Sequence, residues 1–397
     1  MANPDSTELI LVNLCFSPEA GTTLSEKLAD CYRQFSESNS DIAFSKNLIV
    51  KQTLFISAKN KSEYYQSKQK LLAFATYYLG ILPPTSVLAQ SPDNESIVLE
   101  VVYLQGAKPN ELTRKRNEVA SWCLFQRGDL KLIFAAGLSL DEESDDILNH
   151  SMDSFTKVQN ILEEEGMIFS DIIRQWNYIE QITETVGLNG KKSQHYQIFN
   201  DVRSKYYRLA DFINGYPAAT GIGMDFGGIS IDFIAAKSEN QSSVIGIKSP
   251  VQIDAYNYTE AVLKENCAMN EFCRTTPKFE RAKLFLTPEN KWIFISGTAA
   301  ILGQDSADKD SVEYQTEMTI QNIQQLISVR NLHRHGINAT DEPIISYLRV
   351  YVKFKKDMLV VKQICDKYFA DTPIAYIIAD ICRPELLVEI EGQANLN

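Results

Sequence analysis

The run from Ala379 to Gly392, ADICRPELLVEIEG, sets a cysteine, an arginine and a pair of glutamates beside an apolar strand. In a strand, side chains alternate faces, so Glu389 and Glu391 share one face while Val388 and Ile390 take the other. Two carboxylates on one face of an apolar strand are costly unless they are paired or one keeps its proton. A carboxylic acid protonated at neutral pH is what general-acid chemistry requires. The alternative is an edge strand with both carboxylates in water. The strand alone leaves both readings open.

The elements that must hold this strand are legible as a repeat. KLIFAAG at 131–137 is echoed by KWIFISG at 291–297. A helix follows each, around Asn160 and Asn322, and then a strand, at 175–179 and 347–352. A second helix ends in an aromatic pair, Tyr206-Tyr207 or Tyr368-Phe369; a proline comes next, Pro217 or Pro373; a last strand closes each copy at 229–234 or 386–391. The N-terminal third keeps the same order. It has strands at 9–12, 48–56 and 97–102, helices at 24–36 and 64–78, and Pro83-Pro84 before its last strand. Each unit therefore reads β-α-β-α-β. The expected boundaries are 1–112, 113–240 and 241–397, and residues 241–282 form an insertion ahead of the third unit. Equivalent closing strands carry Glu100 and Asp232, without the Cys-Arg-Pro lead-in.

Composition narrows the function classes. The chain has 397 residues, 44% of them hydrophobic and 23% charged, which is ordinary for a globular protein. A net charge of -12 argues against a broad nucleic-acid surface, so an anionic ligand needs a local basic pocket. No stretch approaches the ~20 apolar residues of a membrane span, and the polar start, Met1 to Asp5, is not a signal peptide. Seven cysteines without metal or disulfide spacing point to a reducing cytoplasm.

The units resemble the RidA family (YjgF, chorismate mutase-like fold), which implies an α+β fold of three units joined as a pseudo-trimer. Simple RidA proteins deaminate enamines and imines with an Arg two residues after the proline. The matching residues here are Ser86, Ala219 and Ala375, which argues against that activity. A closer resemblance is to the chorismatases. It is carried by GYPAATGIG at 215–223, SPVQIDAY at 249–256 with TPKFER at 276–281, ISGTAAILG at 295–303, and DICRPELLVEIE at 380–391. The resemblance implies cleavage of chorismate to pyruvate and a hydroxybenzoate, without cofactor or metal, by a monomer. Glu389 matches the essential glutamate. Cys382 and Gly297 match positions that separate product branches, and both fit the 3-hydroxybenzoate type. Arg281 and Tyr256 match residues expected to face substrate. Two departures stand out: Val251 where the family has Arg, and Gln304 where a His is common. Arg274, Arg349 and Lys248 are the cations available to compensate, and Arg383 is a further candidate for the substrate carboxylates. Two other functions fit the same scaffold: catalysis on a different small anion, and non-catalytic binding.

Other signals have plainer readings. GIGMDFGG at 221–228 lacks the third glycine of a dinucleotide loop and reads as a repeat turn. His333 and His335 have no carboxylate or cysteine at ligand spacing. The acidic run 141–146 leads into a helix, where it suits the dipole. Trp122, Trp176 and Trp292 are expected in the core.

Overall fold

The computed structural model describes residues 8–38, 46–93, 96–188, 191–238, 243–259, 263, 274–287, 291–307 and 311–396. The polar start Met1 to Asp5, the boundary near residue 240 and part of the expected insertion lie outside them.

The first unit comprises β1 (Ile10–Phe16), α1 (Leu24–Glu37), β2 (Ile49–Ile56), α2 (Lys61–Leu79), β3 (Thr85–Leu88) and β4 (Ile97–Gln105). Its sheet order is β1-β4-β2-β3. α1 starts where Thr23 accepts from the Glu26 amide while the Glu26 carboxylate accepts from that of Thr23, a reciprocal cap. Leu28, Cys31, Tyr32 and Phe35, at helical spacing, bury its inner face on the sheet.

The second unit runs β5 (Leu112–Arg116), β6 (Ser121–Arg127), β7 (Leu130–Ser139), α3 (Ile147–Glu164), β8 (Ile172–Glu180), the hairpin β9 (Thr185–Leu188) and β10 (Lys191–Gln194), α4 (His195–Tyr207), β11 (Ala218–Met224) and β12 (Ile229–Lys237). The third runs β13 (Ser243–Ile247), β14 (Ala282–Leu286), β15 (Lys291–Ala299), the small hairpin β16 (Ile301–Leu302) and β17 (Asp305–Ser306), α5 (Val312–Ile327), α6 (Val329–Arg334), β18 (Ile344–Val352), α7 (Met358–Tyr368), β19 (Ile374–Ile378) and β20 (Val388–Asn395). Their sheets have matching orders, β11-β8-β12-β7-β6-β5 and β13-β14-β15-β20-β18-β19. These are the three α+β, RidA-like units expected.

Two details correct the expectation. Each unit has an extra short strand after its second helix, β3, β11 or β19, paired parallel to β2, β8 or β18. Each is only four to seven residues long. Residues 243–247 are also not insertion: β13 pairs with β14 as β5 pairs with β6, so the added segment lies between β13 and β14.

Helices cover the outer face of each sheet, and the inner faces meet. β2 is buried along its whole length. Two apolar clusters draw residues from all three units; one joins Phe55, Tyr178 and Tyr351. The units close a ring, with β3 packed on β7, β11 on β15, and β1 on β18. Trp122 and Trp292 are core. Trp176 instead lines a central cavity, with Lys51 Nζ 4.1 Å and the Arg174 guanidinium 4.5 Å from its ring. The glycine run divides: 221–224 belong to β11, and 225–228 are the turn to β12. His333 and His335 bind backbone groups, Ala339 O and Asn331 O. No cluster of metal-binding side chains and no membrane-length apolar helix occurs among the described residues.

Candidate active site

β20 separates its side chains as the alternation requires. Val388 and Ile390 join the third unit's core. Glu389 and Glu391 face the contact with the second unit, 4% and 2% exposed.

The two acids differ in their partners. Glu391 accepts from Arg174 Nη2 at 2.5 Å, Trp176 Nε1 at 2.9 Å, Arg349 Nη1 and the Tyr351 hydroxyl at 3.2 Å each, and the Thr220 hydroxyl. Glu389 accepts no hydrogen bond from the described residues. Burial, followed by the charge of Glu391, pushes its pKa up to about 8, opposed by Arg174 and Arg281. A carboxylic acid that keeps its proton near neutral pH is suited to general-acid work. Here the acid with the proton is Glu389.

Gly297 makes room for it. β15 breaks register between Ile295 and Thr298, and the Gly297 amide donates to Thr220 Oγ1 at 3.0 Å. A Cβ on Gly297 would overlap Glu389 Oε1. The space beside this glycine therefore admits the acid itself.

Glu389 opens onto a cavity of about 810 Å³, its solvent mouth included. The second unit supplies Tyr196, Gln197 and Asn200 from α4, and Ala219 and Gly221 from β11. The added segment supplies Tyr258, Phe279 and Arg281; the third unit supplies Gly297, Ala299, Cys382 and Arg383. Gly221 packs where a Cβ would strike the Tyr196 ring. Arg281 is 2% exposed, and its Nη2 donates to Ile253 O at 2.6 Å and the Tyr258 hydroxyl at 2.7 Å. Its Nε is buried without an acceptor. Arg383 donates to Ser306 Oγ at 3.0 Å, and its guanidinium lies 5.5 Å from the Tyr258 ring. Neither arginine meets a carboxylate among the described residues, so two cationic charges are available to an anion entering the cavity. Burial, with Glu389 adding to it, pushes the Cys382 thiol up to about 12, so it is neutral at pH 7.

Thus Glu389, Cys382, Arg281, Gly297 and Arg383 converge as expected. Three other candidates do not. Arg349 is 2% exposed and pairs with Glu100 through Nε, at 2.6 Å, and Nη2, which places it in the central ion cluster. Arg274 Nη2 holds the Leu263 carbonyl at 3.0 Å, outside the cavity wall. Tyr256 turns its hydroxyl toward Glu280, 3.5 Å away; the intervening 3-10 turn presents Tyr258 instead. Val251 also lies elsewhere, lining a separate groove with Tyr314 and Met318 of α5. A cation is therefore not missing from this wall at position 251. Lys248 pairs with Asp254 at 3.0 Å, and Gln304 accepts from the Thr259 amide at 3.0 Å, next to Tyr258. Tyr196, Gln197 and Asn200 carry no marker in the sequence, since their types are common on any helix.

The chain is similar to known proteins. The family model described as chorismatase FkbO/Hyg5-like, N-terminal, matches residues 112–235. A 3-hydroxybenzoate synthase of Streptomyces hygroscopicus is 31% identical over 246 residues, covering 60% of this chain and 67% of that protein. A chorismatase of Streptomyces rapamycinicus is 28% identical over 232 residues, or 56% of this chain and 64% of the relative. A chorismatase crystal structure superposes with a TM-score of 0.67 over 97% of this chain and 98% of its own, at 21% identity. The extent and identity of these matches show that the chain belongs to the chorismatase family.

Proposed function

We propose that this chain cleaves chorismate to pyruvate and a hydroxybenzoate, 3-hydroxybenzoate by preference, with Glu389 as the general acid. The observation that carries the reading is a buried, donor-free Glu389 that keeps its proton to about pH 8, in a cavity with two arginines that lack carboxylate partners among the described residues. Chorismate has two carboxylates and an enol ether. Arg281 and Arg383 hold the carboxylates, and Arg281 offers its unused Nε–H. Glu389 gives its proton to the enolpyruvyl methylene carbon. Carbon accepts protons slowly, so the acid must be close and protonated before the substrate arrives. The resulting oxocarbenium-like carbon is captured by the neighbouring ring hydroxyl, whose proton passes to the ether oxygen as that oxygen's bond to the captured carbon breaks. The capturing oxygen's own bond to the ring then breaks, and pyruvate leaves with that oxygen as its keto group. The ring then loses a proton, aromatises and returns that proton to Glu389. The two products together contain the atoms of chorismate, so the scheme needs no added water or cofactor. Cys382 and Gly297, through the family pattern and the relative named 3-hydroxybenzoate synthase, support the 3-hydroxy product.

The test is direct. Purified protein is mixed with chorismate while pyruvate and the ultraviolet spectrum are followed. Pyruvate with an aromatic product is expected, and its loss in Glu389→Gln. No pyruvate from the wild type, or full activity in that variant, overturns the proposal.

A further inference from the structure

Ladder register makes the three units directly comparable. Glu100, Asp232 and Glu389 lie opposite Thr53, Trp176 and Tyr351. Two residues before those partners stand Lys51, Arg174 and Arg349, opposite Val102, Ile234 and Glu391. Each unit thus carries one acid and one cation at corresponding places on its inner face.

Two of the three contacts use them identically. Arg349 of the third unit pairs with Glu100 of the first. Lys51 of the first pairs with Asp232 of the second at 2.8 Å, both fully buried. Asp232 also accepts from the Ser86 hydroxyl and the Gly137 amide. By the same rotation, Arg174 of the second unit should pair with Glu389 of the third. Thr220, which lies opposite Trp176 as Ser86 lies opposite Thr53, should donate to Glu389 too. Neither does. Both bind Glu391, where the other units carry an apolar residue, and the Gly297 amide binds Thr220 instead of the acid. Arg174 Nη1 is left buried without an acceptor.

We propose that Glu391 is a positioning residue: by holding Arg174 and Thr220 it keeps them off Glu389, so the acid at this contact stays free to act on substrate. The inference rests on the general-acid reading above. Glu389 is also faced by Tyr351 of β18, Tyr196 of α4, Cys382 and Arg281. Among the described residues, Arg174 and Arg281 are the cations that act on it, and of these only Arg174 has a counterpart that pairs in the other units.

The experiment replaces Glu391 by Val, the residue at 102, and by Gln, which keeps its shape. The protonated carboxyl stretch of Glu389, assigned by subtraction of Glu389→Gln, is titrated by infrared difference spectroscopy without substrate. In wild type the band is expected to vanish near pH 8. In Glu391→Val it is expected to vanish roughly 1 to 3 pH units lower, as a like charge leaves and an opposite charge reaches the acid. A crystal structure of that variant is expected to show Arg174 on Glu389. Should the Val variant not fold, the crystal structure of Glu391→Gln replaces it, with Arg174 expected to turn from position 391 to Glu389. An unmoved band, or Arg174 still turned away from Glu389 in the Val variant, overturns the proposal. Failure of wild type to turn over chorismate removes the substrate reading and leaves this titration as informative as before.

Discussion

Replacing Glu389 by Gln should abolish activity and yet stabilise the protein at alkaline pH. The folded chain keeps the Glu389 proton to about pH 8, whereas the unfolded chain releases it near 4.5. Between these values the folded state binds more protons, so this group lowers stability as pH rises. A tenfold change in proton affinity corresponds to about 1.4 kcal/mol. The penalty is therefore on the order of 2 kcal/mol at pH 6 and on the order of 5 kcal/mol at pH 9. Gln carries no such penalty. Urea unfolding of wild type and variant at pH 6 and pH 9 isolates the effect, because other groups titrate alike in both. The variant's advantage should grow by roughly 3 kcal/mol between the two. The same proton governs rate. With its pKa near 8, about nine-tenths of Glu389 is protonated at pH 7; at its ordinary value the fraction would be about 300-fold smaller. A stability difference that does not change with pH would refute the assignment of a protonated acid at this position.

Three further outcomes are expected. Gly297→Ala forces a Cβ into the Glu389 carboxyl, so kcat should collapse at a stability cost of roughly 1–3 kcal/mol, read by turnover and thermal unfolding. Arg281→Met should raise KM at least tenfold with the fold intact by circular dichroism, since a cation free to bind a carboxylate is removed. Arg349→Leu should destabilise by roughly 3–5 kcal/mol by leaving Glu100 buried and unpaired; active protein recovered at low temperature should keep a wild-type KM.

The strand bearing the acids is legible because alternation on β20 is a local rule, and it separates Glu389 from Val388 correctly. The repeat is legible because each unit must build the same outer core. What decides the chemistry is non-local. Arg174 is 217 residues from Glu391 in sequence, and nothing near either one announces the pairing. Arg349 escapes a correct placement for the same reason: an arginine across from a glutamate suits a substrate site and a central ion pair equally well. Tyr256 and Tyr258 are two residues apart, and a single 3-10 turn decides which one reaches the cavity. The α4 wall is hidden because it belongs to the second unit, far in sequence from the third unit's Glu389.

Joining the units in one polypeptide changes what a substitution means. In a ring of three identical chains, every change recurs at three contacts, and an acid freed at one would be freed at all. Such a ring would carry three unneutralised buried carboxyls and lose three ion pairs together. Here Lys51–Asp232 and Arg349–Glu100 clamp two seams through the paired acids, while at the third Arg174 pairs with Glu391 and leaves Glu389 out of the clamp. The linkage permits a division of labour: the acids of two contacts help hold the ring closed, and that of the third is left to specialise.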